Sequence, residues 1–360
     1  MSNLNFIAPI LSTTSYGLVS INILKELSNL GEKIALFPIN KGQEEAPDRF
    51  HESIRKALKS AEFPDWNAPC IRLWHQFDMS QFVGRGKRIG YPIFELDTFN
   101  TQEKHHLSSL DEIFVCSAWA KDVILKNLSD IKSNQVHIVP LGIDPIIFSP
   151  SVQHKLKNTV FLTAGKWEVR KSHQELIECF NKAFELEDDV ELWMVCENIF
   201  NSKEENEKWF KLAKESKLGS KIRLFPRLDT QEQLSQLMNA SDYGIFLSKA
   251  EGFNLEALEM LACGKKIIVT DVTAHTEFCN NKNSYLISCP EKELAQDGKW
   301  FFGQGNWHKF GEEQKEQTIQ FMRYLHSCKE QNQENIDGIE TAKKFSWANT
   351  ARIIKGALDV

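Results

Sequence analysis

Residues 248–277 read Ser248-Lys-Ala-Glu251-Gly-Phe-Asn-Leu-Glu-Ala-Leu-Glu259-Met-Leu-Ala-Cys-Gly264-Lys-Lys-Ile-Ile-Val-Thr270-Asp-Val-Thr-Ala-His-Thr-Glu277. The apolar run just before it, Tyr243-Gly-Ile-Phe-Leu-Ser248, predicts a strand, and Glu251-Gly252-Phe253 predicts a turn. Leu255, Leu258 and Leu261 recur about one turn apart and predict a helix that starts at Asn254. Cys263-Gly264 predicts its C-terminal stop, and Lys266-Ile-Ile-Val-Thr270 a buried parallel strand. A strand, a glycine turn and a helix start make an anion site: the first N–H groups of a helix lack intrahelical partners, and its dipole is positive there. The N–H groups of Phe253, Asn254 and Leu255 are the ones expected to meet a phosphate. Glu251 in the turn and Glu259 two turns into the helix are acceptor-only side chains, which suits sugar hydroxyls, so the stretch points to a sugar joined to phosphate.

The chain of 360 residues is long enough for two α/β domains with separate cores. A hydrophobic content of 42%, a charged content of 26% and a net charge of −6 are those of an ordinary globular protein with no global attraction to nucleic acid. Eight scattered cysteines without a Cys-x-x-Cys pair predict buried reduced thiols rather than zinc or disulfides. The N-terminus lacks a basic n-region and no apolar run approaches about 18 residues, so neither a signal peptide nor a membrane span is expected, and a cytoplasmic location is.

In chain order, Leu4–Leu11 predicts a strand, and Ser12-Thr-Thr-Ser-Tyr16-Gly17 a turn into a helix with Ile21, Leu24 and Leu27 buried; Lys33–Pro38 predicts a second strand. An amphipathic helix is expected around Phe50–Leu58. Strands Cys70–Trp74 and Ile89–Phe94 end in His75-Gln-Phe-Asp78 and Glu95-Leu-Asp97. Because ligands of open parallel α/β sheets bind beyond the carboxyl ends of strands, His75, Asp78, Glu95 and Asp97 are candidate site residues. Each also reads as a plain cap or turn. Gly84-Arg85-Gly86-Lys87-Arg88 places three cations in five residues, either a solvated loop or a contact for an anionic acceptor such as DNA phosphate. Strand Asp111–Ser117 and a helix from Ala118 to Leu125 follow, then Val136–Asp144. After the polar run 151–158, strand Thr159–Gly165 leads to Lys166-Trp-Glu-Val-Arg170-Lys171 and a helix over Gln174–Phe184. Strands Val190–Val195 and Lys221–Phe225 alternate with helices near 203–217 and 230–239. The aromatic segments Lys299–Phe302 and Asn306–His308 have no reading from spacing.

Glu251-Gly-Phe-Asn-Leu-Glu-Ala-Leu-Glu259, Met260-Leu-Ala-Cys-Gly264 and Glu277 together resemble the signature of the retaining GT-B glycosyltransferases of family four, in the glycogen-synthase-like, glycosyl transferases group 1 superfamily. Two glutamates separated by seven residues mark that signature. The resemblance is specific over 159–280, weaker but in order before it, and lost over about 290–340. It implies an α/β GT-B fold: two Rossmann-like domains with parallel sheets facing a central cleft. Residues 1–150 would be the acceptor domain, 151–340 the donor domain, and 341–360 a helix crossing back, with a linker near 145–158.

The family implies that Gly165, Lys166, Arg170 and Lys171 hold the donor diphosphate together with Gly252, Phe253, Asn254 and Leu255, that Glu251 binds sugar hydroxyls and Glu259 the ribose, and that the backbone around Arg227 holds the nucleotide base, the Arg227 side chain either stacking on it or being solvated. Tyr16, Gly17, His75, Asp78 and Glu95 would line the acceptor side, with His75, Glu95, Lys166, Lys171 and Glu251 acting in catalysis. Two departures stand out. The first loop keeps only Gly17 where the family is richer in glycine, and Phe94-Glu95 stands where it commonly carries a histidine. The implied reaction transfers a sugar from a nucleotide donor, UDP-sugar favoured, to an acceptor hydroxyl with retention, the domains closing on the substrate. Cations would replace a metal, so no cofactor and no essential metal are expected; Asp189-Val-Glu191 is the nearest match to the Asp-x-Asp pair of metal-dependent transferases. The chain also resembles a compact branch often encoded by viruses of bacteria, whose acceptors include hydroxymethylated bases in DNA. Glycan, lipid and small-molecule acceptors, a GT-B epimerase or phosphorylase, and a non-catalytic binding module remain alternatives.

Overall fold

The computed structural model describes residues 3–39, 46–151 and 156–358. Part of the expected linker, 152–155, lies outside them. The chain forms two compact units, residues 1–142 with 345–360, and 143–344.

The first unit runs β1 (Leu4–Ala8), α1 (Ser15–Asn29), β2 (Ile34–Pro38), α2 (Asp48–Ser60), β3 (Cys70–Trp74), β4 (Arg88–Pro92), α3 (Thr101–Ser108), β5 (Glu112–Val115), α4 (Ala118–Asn127) and β6 (Val136–Ile138). Its six strands are parallel in the order β2-β1-β3-β4-β5-β6. Every residue of β1 is buried, as a strand covered on both faces requires. Helix α1 starts where Thr14 Oγ1 accepts the N–H of Gly17 (3.2 Å). A Cβ on Gly17 would lie 1.9 Å from the carbonyl oxygen of Leu11, so the incoming loop leaves no room for a side chain there.

Gly84 and Gly86 of the basic loop likewise let backbone pass close to the carbonyls of Trp66 and Ala68. Lys87 pairs with Glu112 at 2.6 Å and Arg88 with Asp111 at 3.6 Å, so two of the loop's cations face carboxylates of their own unit.

The second unit runs β7 (Thr159–Ala164), α5 (His173–Ala183), β8 (Val190–Val195), α6 (Lys203–Lys214), β9 (Ile222–Leu224), α7 (Gln231–Ala240), β10 (Tyr243–Phe246), α8 (Leu255–Ala262), β11 (Lys266–Thr270), β12 (Ser284–Ile287), β13 (Lys292–Gln296), β14 (Phe302–His308), α9 (Glu312–Ser327) and α10 (Ile336–Lys344). Its parallel sheet is ordered β12-β11-β10-β7-β8-β9, with β7 and β10 adjacent at its centre. Phe161, Leu192, Ile245, Ile268 and the apolar faces of α5 and α9 fill its core. The aromatic segments that lacked a reading fall in the turn and second strand of an antiparallel hairpin, β13–β14.

Residues 143–151 belong with this unit rather than the first because Ser235 and Asn239 of α7 bond them: Ser235 Oγ donates to Ile147 O (2.6 Å) and Ser151 N to Asn239 Oδ1 (2.9 Å). The dividing points therefore fall at 142/143 and 344/345, eight residues before 150/151 and four after 340/341.

Helix α11 (Trp347–Leu358) completes the first unit. Lys355 Nζ donates to Leu30 O (2.9 Å), and Thr350 Oγ1 to Pro140 O (2.8 Å). All eight cysteines are free thiols, seven of them buried. Among the described residues no helix is long and apolar enough to cross a membrane.

A Cβ on Gly142 would sit 2.3 Å from Trp347 N, against backbone that cannot rotate away. Gly142→Ala is therefore expected to lower stability by about 2 kcal/mol, the cost of overpacking, which thermal unfolding would show as a drop of roughly 4 °C or more. An unchanged transition would contradict the tight docking of α11.

Candidate active site

The centre of the second unit's sheet delivers two loops side by side, β7–α5 and β10–α8. The backbone N–H of Lys249 donates to Arg170 O (2.7 Å) and joins them. Between them lies a buried chain of charges. Glu251 accepts from Lys171 Nζ (2.9 Å), from Arg170 Nη1 (2.9 Å) and from Ser248 Oγ (2.6 Å). Arg170 also donates to Ala250 O (2.5 Å) and to Glu168 (2.8 Å), and Glu168 pairs with Lys166 at 3.1 Å. Lys166 is the half-exposed member, its side chain 44% accessible and its ammonium 5.1 Å from the Phe200 ring.

The electrostatics follow from burial set against these partners. Burial alone would raise the Glu251 pKa, but Arg170, Lys171 and His275 hold the carboxyl far below the usual carboxylate range. Burial alone would lower the Lys171 pKa, and the charges of Glu251 and Glu256 override it, leaving the ammonium above its ordinary value. Glu168, also buried, is held low by Arg170, Lys166 and Lys171. Two carboxylates are thus paired directly with three cations, and Glu256 adds its charge from the first turn of α8.

Backbone geometry explains the glycine before Lys166. Gly165 has φ +128°, and a Cβ there would lie 2.9 Å from Lys171 Nζ and 3.0 Å from its Cδ. The absent side chain is the space in which the lysine lies. Ser172, at φ 53°, turns the chain into α5.

The β10–α8 loop is held from β11 and the turn after it. Glu251 N donates to Thr273 Oγ1 (2.8 Å), and Thr270 Oγ1 to Ser248 O (2.6 Å). Asn254, at φ 75°, is the N-cap of α8, its Oδ1 accepting from Ala257 N (3.2 Å). Its amide Nδ2 donates to His275 Nε2 (2.8 Å), which puts the imidazole proton on Nδ1, where it is given to Thr270 O (2.9 Å). The helix therefore starts one residue later than the periodicity predicts, because Asn254 caps it. Gly252, Phe253 and Leu255 are buried around that start.

Glu259, on the second turn of α8, is buried; burial and the neighbouring Glu256 push its carboxyl well above the usual range. Arg227 is half-buried after β9, its N–H on Glu197 Oε2 (3.0 Å). Asp189 pairs with Lys157 (3.1 Å) and Glu191 with Arg223 (2.6 Å), so the Asp-x-Glu pair is engaged in its own ion pairs. Among the described residues no three His, Cys, Asp or Glu side chains converge as a metal site would require.

In the first unit, the end of β3 carries an aromatic group. Tyr16 Oη donates to Ile93 O (2.8 Å) and lies 3.1 Å from His75 Nδ1, so the imidazole donates to the phenol oxygen. The Tyr16, Trp74 and Phe77 rings lie 4.5, 4.8 and 5.0 Å from that of His75, Phe77 stacked parallel to it. The structure thus joins Tyr16 to His75, and gives Asp78 a different partner: its carboxylate is 2.6 Å from the buried Arg72 guanidinium. Glu95 is half-buried beyond β4.

Ser248, Glu168, Thr273, His173 and His275 are members of the charge cluster and its supports that the sequence reading passed over. His275 lies inside the stretch that decided the fold, but a lone histidine in a turn carries no spacing signal.

This is the architecture of the GT-B glycosyltransferases, and residues 147–316 match the family described as Glycosyl transferases group 1. Over 212 residues the chain is 27% identical to the MMP alpha-(1->4)-mannosyltransferase of Mycolicibacterium hassiacum, a match spanning 59% of this chain and 44% of that protein. Among solved structures, sucrose-phosphate synthase from Thermosynechococcus elongatus superposes with a TM-score of 0.72 at 13% identity, covering 99% of this chain and 98% of that one. Anabaena Alr3699/HepE in complex with UDP and glucose superposes at 0.71 and 12% identity, with both chains fully covered. At these identities the likeness is one of fold.

His173 gives the site a pH dependence. Burial first, then Lys171, lower its pKa from 6.5 to about 3. Between those values the unfolded chain binds a proton that the folded one refuses, so stability rises with pH across the window. Glu251, held low, acts in the same direction: its contribution, present above the unfolded value of 4.5, is lost on acidification. His173→Phe should flatten the dependence of unfolding free energy on pH between about 4 and 6 by up to about 1.4 kcal/mol per pH unit, one proton's worth. Denaturant titrations at several pH values would measure it, and parallel curves for the two proteins would contradict the assignment.

Proposed function

We propose that this protein is a retaining glycosyltransferase that moves a hexosyl or pentosyl group from a nucleotide sugar, UDP-sugar by preference, to an acceptor hydroxyl. The observation that carries the reading is Lys171, a buried ammonium in the space left by Gly165 and aligned by Glu251 at the start of α8. Expelling a diphosphate builds negative charge on its oxygens, and fixed cations in a site that excludes water stabilise that charge without reorganising. Lys171 supplies one such cation and Lys166, on the exposed side of the cluster, a second. Arg170 is turned inward and holds Glu168, Ala250 and Glu251 together, so its part is to fix the loops. No metal is required for this division of labour, and none is proposed.

In the step itself the bond from the anomeric carbon to the phosphate oxygen breaks, and the acceptor oxygen bonds to the same face. The acceptor proton passes to the departing phosphate. A two-step route would use a carboxylate nucleophile. Glu251 is poorly suited to that role, because Arg170, Lys171 and Ser248 hold both its oxygens and depress its basicity. Glu259 then faces the ribose, its buried carboxyl satisfied by hydroxyls. On the acceptor side Tyr16, His75 and Glu95 are proposed to meet the hydroxyl-bearing substrate. Hydroxymethylated DNA is the first acceptor to test, ahead of glycans, lipids and small metabolites.

Lys171→Ala should lower turnover by at least about 100-fold, the scale of losing one transition-state donor. Nucleotide release from UDP-glucose and a panel of other nucleotide sugars measures this, with and without duplex DNA containing hydroxymethylcytosine, the DNA then being weighed by mass spectrometry. A mass gain of one sugar identifies the acceptor, and release without it directs the search to the other acceptors. Near-normal turnover in the variant would overturn the diphosphate assignment, and absence of release from every donor would overturn the transferase reading in favour of an epimerase or binding module.

A further inference from the structure

A second concave site lies in the donor-side unit, between α6, the turn of the β13–β14 hairpin and the loop after β7. It encloses about 400 Å³. Trp209 and Trp300 line it together with Gln174, Asn201, Glu205 and Lys299.

Trp300 is 46% exposed, yet its turn is tightly fixed. One carboxylate oxygen, Asp297 Oδ1, accepts the N–H groups of Lys299 (2.8 Å), Trp300 (2.8 Å) and Phe301 (2.9 Å), and Gly298 supplies the left-handed φ of +74° that the turn needs. Lys299 Nζ then clamps the turn to α6 through Glu205 (2.6 Å) and Asn201 (2.8 Å), while lying 5.4 Å from the Trp300 ring. On the other wall Trp209 is held face to face against Trp167, 5.2 Å apart and 5° from parallel. Two aromatic rings are thus held by their neighbours at the cavity wall, where burial alone would have covered them.

The chemistry of the lining selects the ligand. Aromatic faces attract the positive edges of C–H bonds, and the amides, carboxylate and ammonium beside them both donate and accept. A phosphate is disfavoured: the start of α6 is already closed by its own capping box, Ser202 with Glu205, which places a carboxylate where an anion would bind. An apolar ligand would desolvate the Lys299–Glu205 ion pair and give it nothing in return. A neutral pyranose satisfies both halves. We propose that this cavity is a carbohydrate subsite that takes a neutral oligosaccharide chain. Trp167 and Glu168 line it too, so the loop that carries Lys166 and Lys171 also forms one wall of the subsite.

The test needs no donor and so stands apart from the transfer reading. Saturation-transfer NMR and tryptophan fluorescence would follow maltopentaose and mannopentaose added to the whole protein. Binding of at least one pentasaccharide is expected with a dissociation constant in the range of about 1 mM. Trp300→Ala should weaken it about tenfold or more through loss of one stacking face. Asp297→Ala, which removes no ring but releases the turn that positions Trp300, should weaken it as well. Trp300→Ala should keep the thermal transition of the parent, and both variants its UDP affinity. The proposal is overturned if neither sugar binds at about 20 mM, or if Trp300→Ala binds as tightly as the parent.

Discussion

Glu251 is held by two cations in a place that water does not reach. A carboxylate without partners would not stay ionised there, and an unpaired lysine or arginine would be equally costly. The pairing therefore works in both directions: Glu251 keeps Lys171 charged, and Lys171 with Arg170 keeps Glu251 charged. Because the partners come from the loops after β7 and β10, which are neighbours at the sheet centre, the pairing also fixes the distance between those loops. Removing one member would leave a buried charge unpaired, so the cluster stands or falls as a unit. Lys166 is the member still in contact with solvent, and that is where an incoming anion gains most.

This constraint accounts for several local irregularities. Gly165 at φ +128°, Ser172 at φ 53°, Asn254 at φ 75° and Thr273 at φ 46° all lie in the left-handed region, and three of the four are not glycine. Such backbone is costly and persists where surrounding bonds enforce it. Here they do: Asn254 is bonded to Ala257 and His275, and Thr273 to Glu251. The same segments are the ones that would approach a diphosphate.

Much of this was legible in the sequence because the informative residues are close together in it. The strand, turn and helix around Glu251 follow from local periodicity and one glycine, and the central strands are unbroken apolar runs. Lys166 and Lys171 could be picked out by their place in a strand-to-helix turn. The inward aim of Arg170 could not, since a short 3-10 turn sends neighbouring side chains in different directions and only the fold decides which is buried. The partner of Asp78 was hidden for a related reason: a carboxylate at a strand end reads as site chemistry, and only the fold shows its pairing with Arg72, six residues earlier and buried. The β13–β14 hairpin escaped notice because Phe302-Gly-Gln-Gly-Asn-Trp-His308 and Lys292-Glu-Leu-Ala-Gln296 alternate too weakly, most of their side chains being partly or wholly exposed. Helix α3, eight residues of which only Leu107 is apolar, set off by the capping box of Asn100 and Glu103, carries almost no apolar period.

The account's central claim is that the charge cluster around Glu251 and Lys171 receives the diphosphate of a nucleotide sugar. A crystal structure of the whole protein grown with UDP tests it most directly. The account predicts a phosphate oxygen within about 3 Å of Lys171 Nζ, a charge-assisted hydrogen bond, with Lys166 turned toward the phosphates, Glu259 on the ribose and the Glu251–Arg170 pair intact. Nucleotide bound with its phosphates away from the start of α8, or bound only after the Glu251–Lys171 pair has come apart, would contradict it.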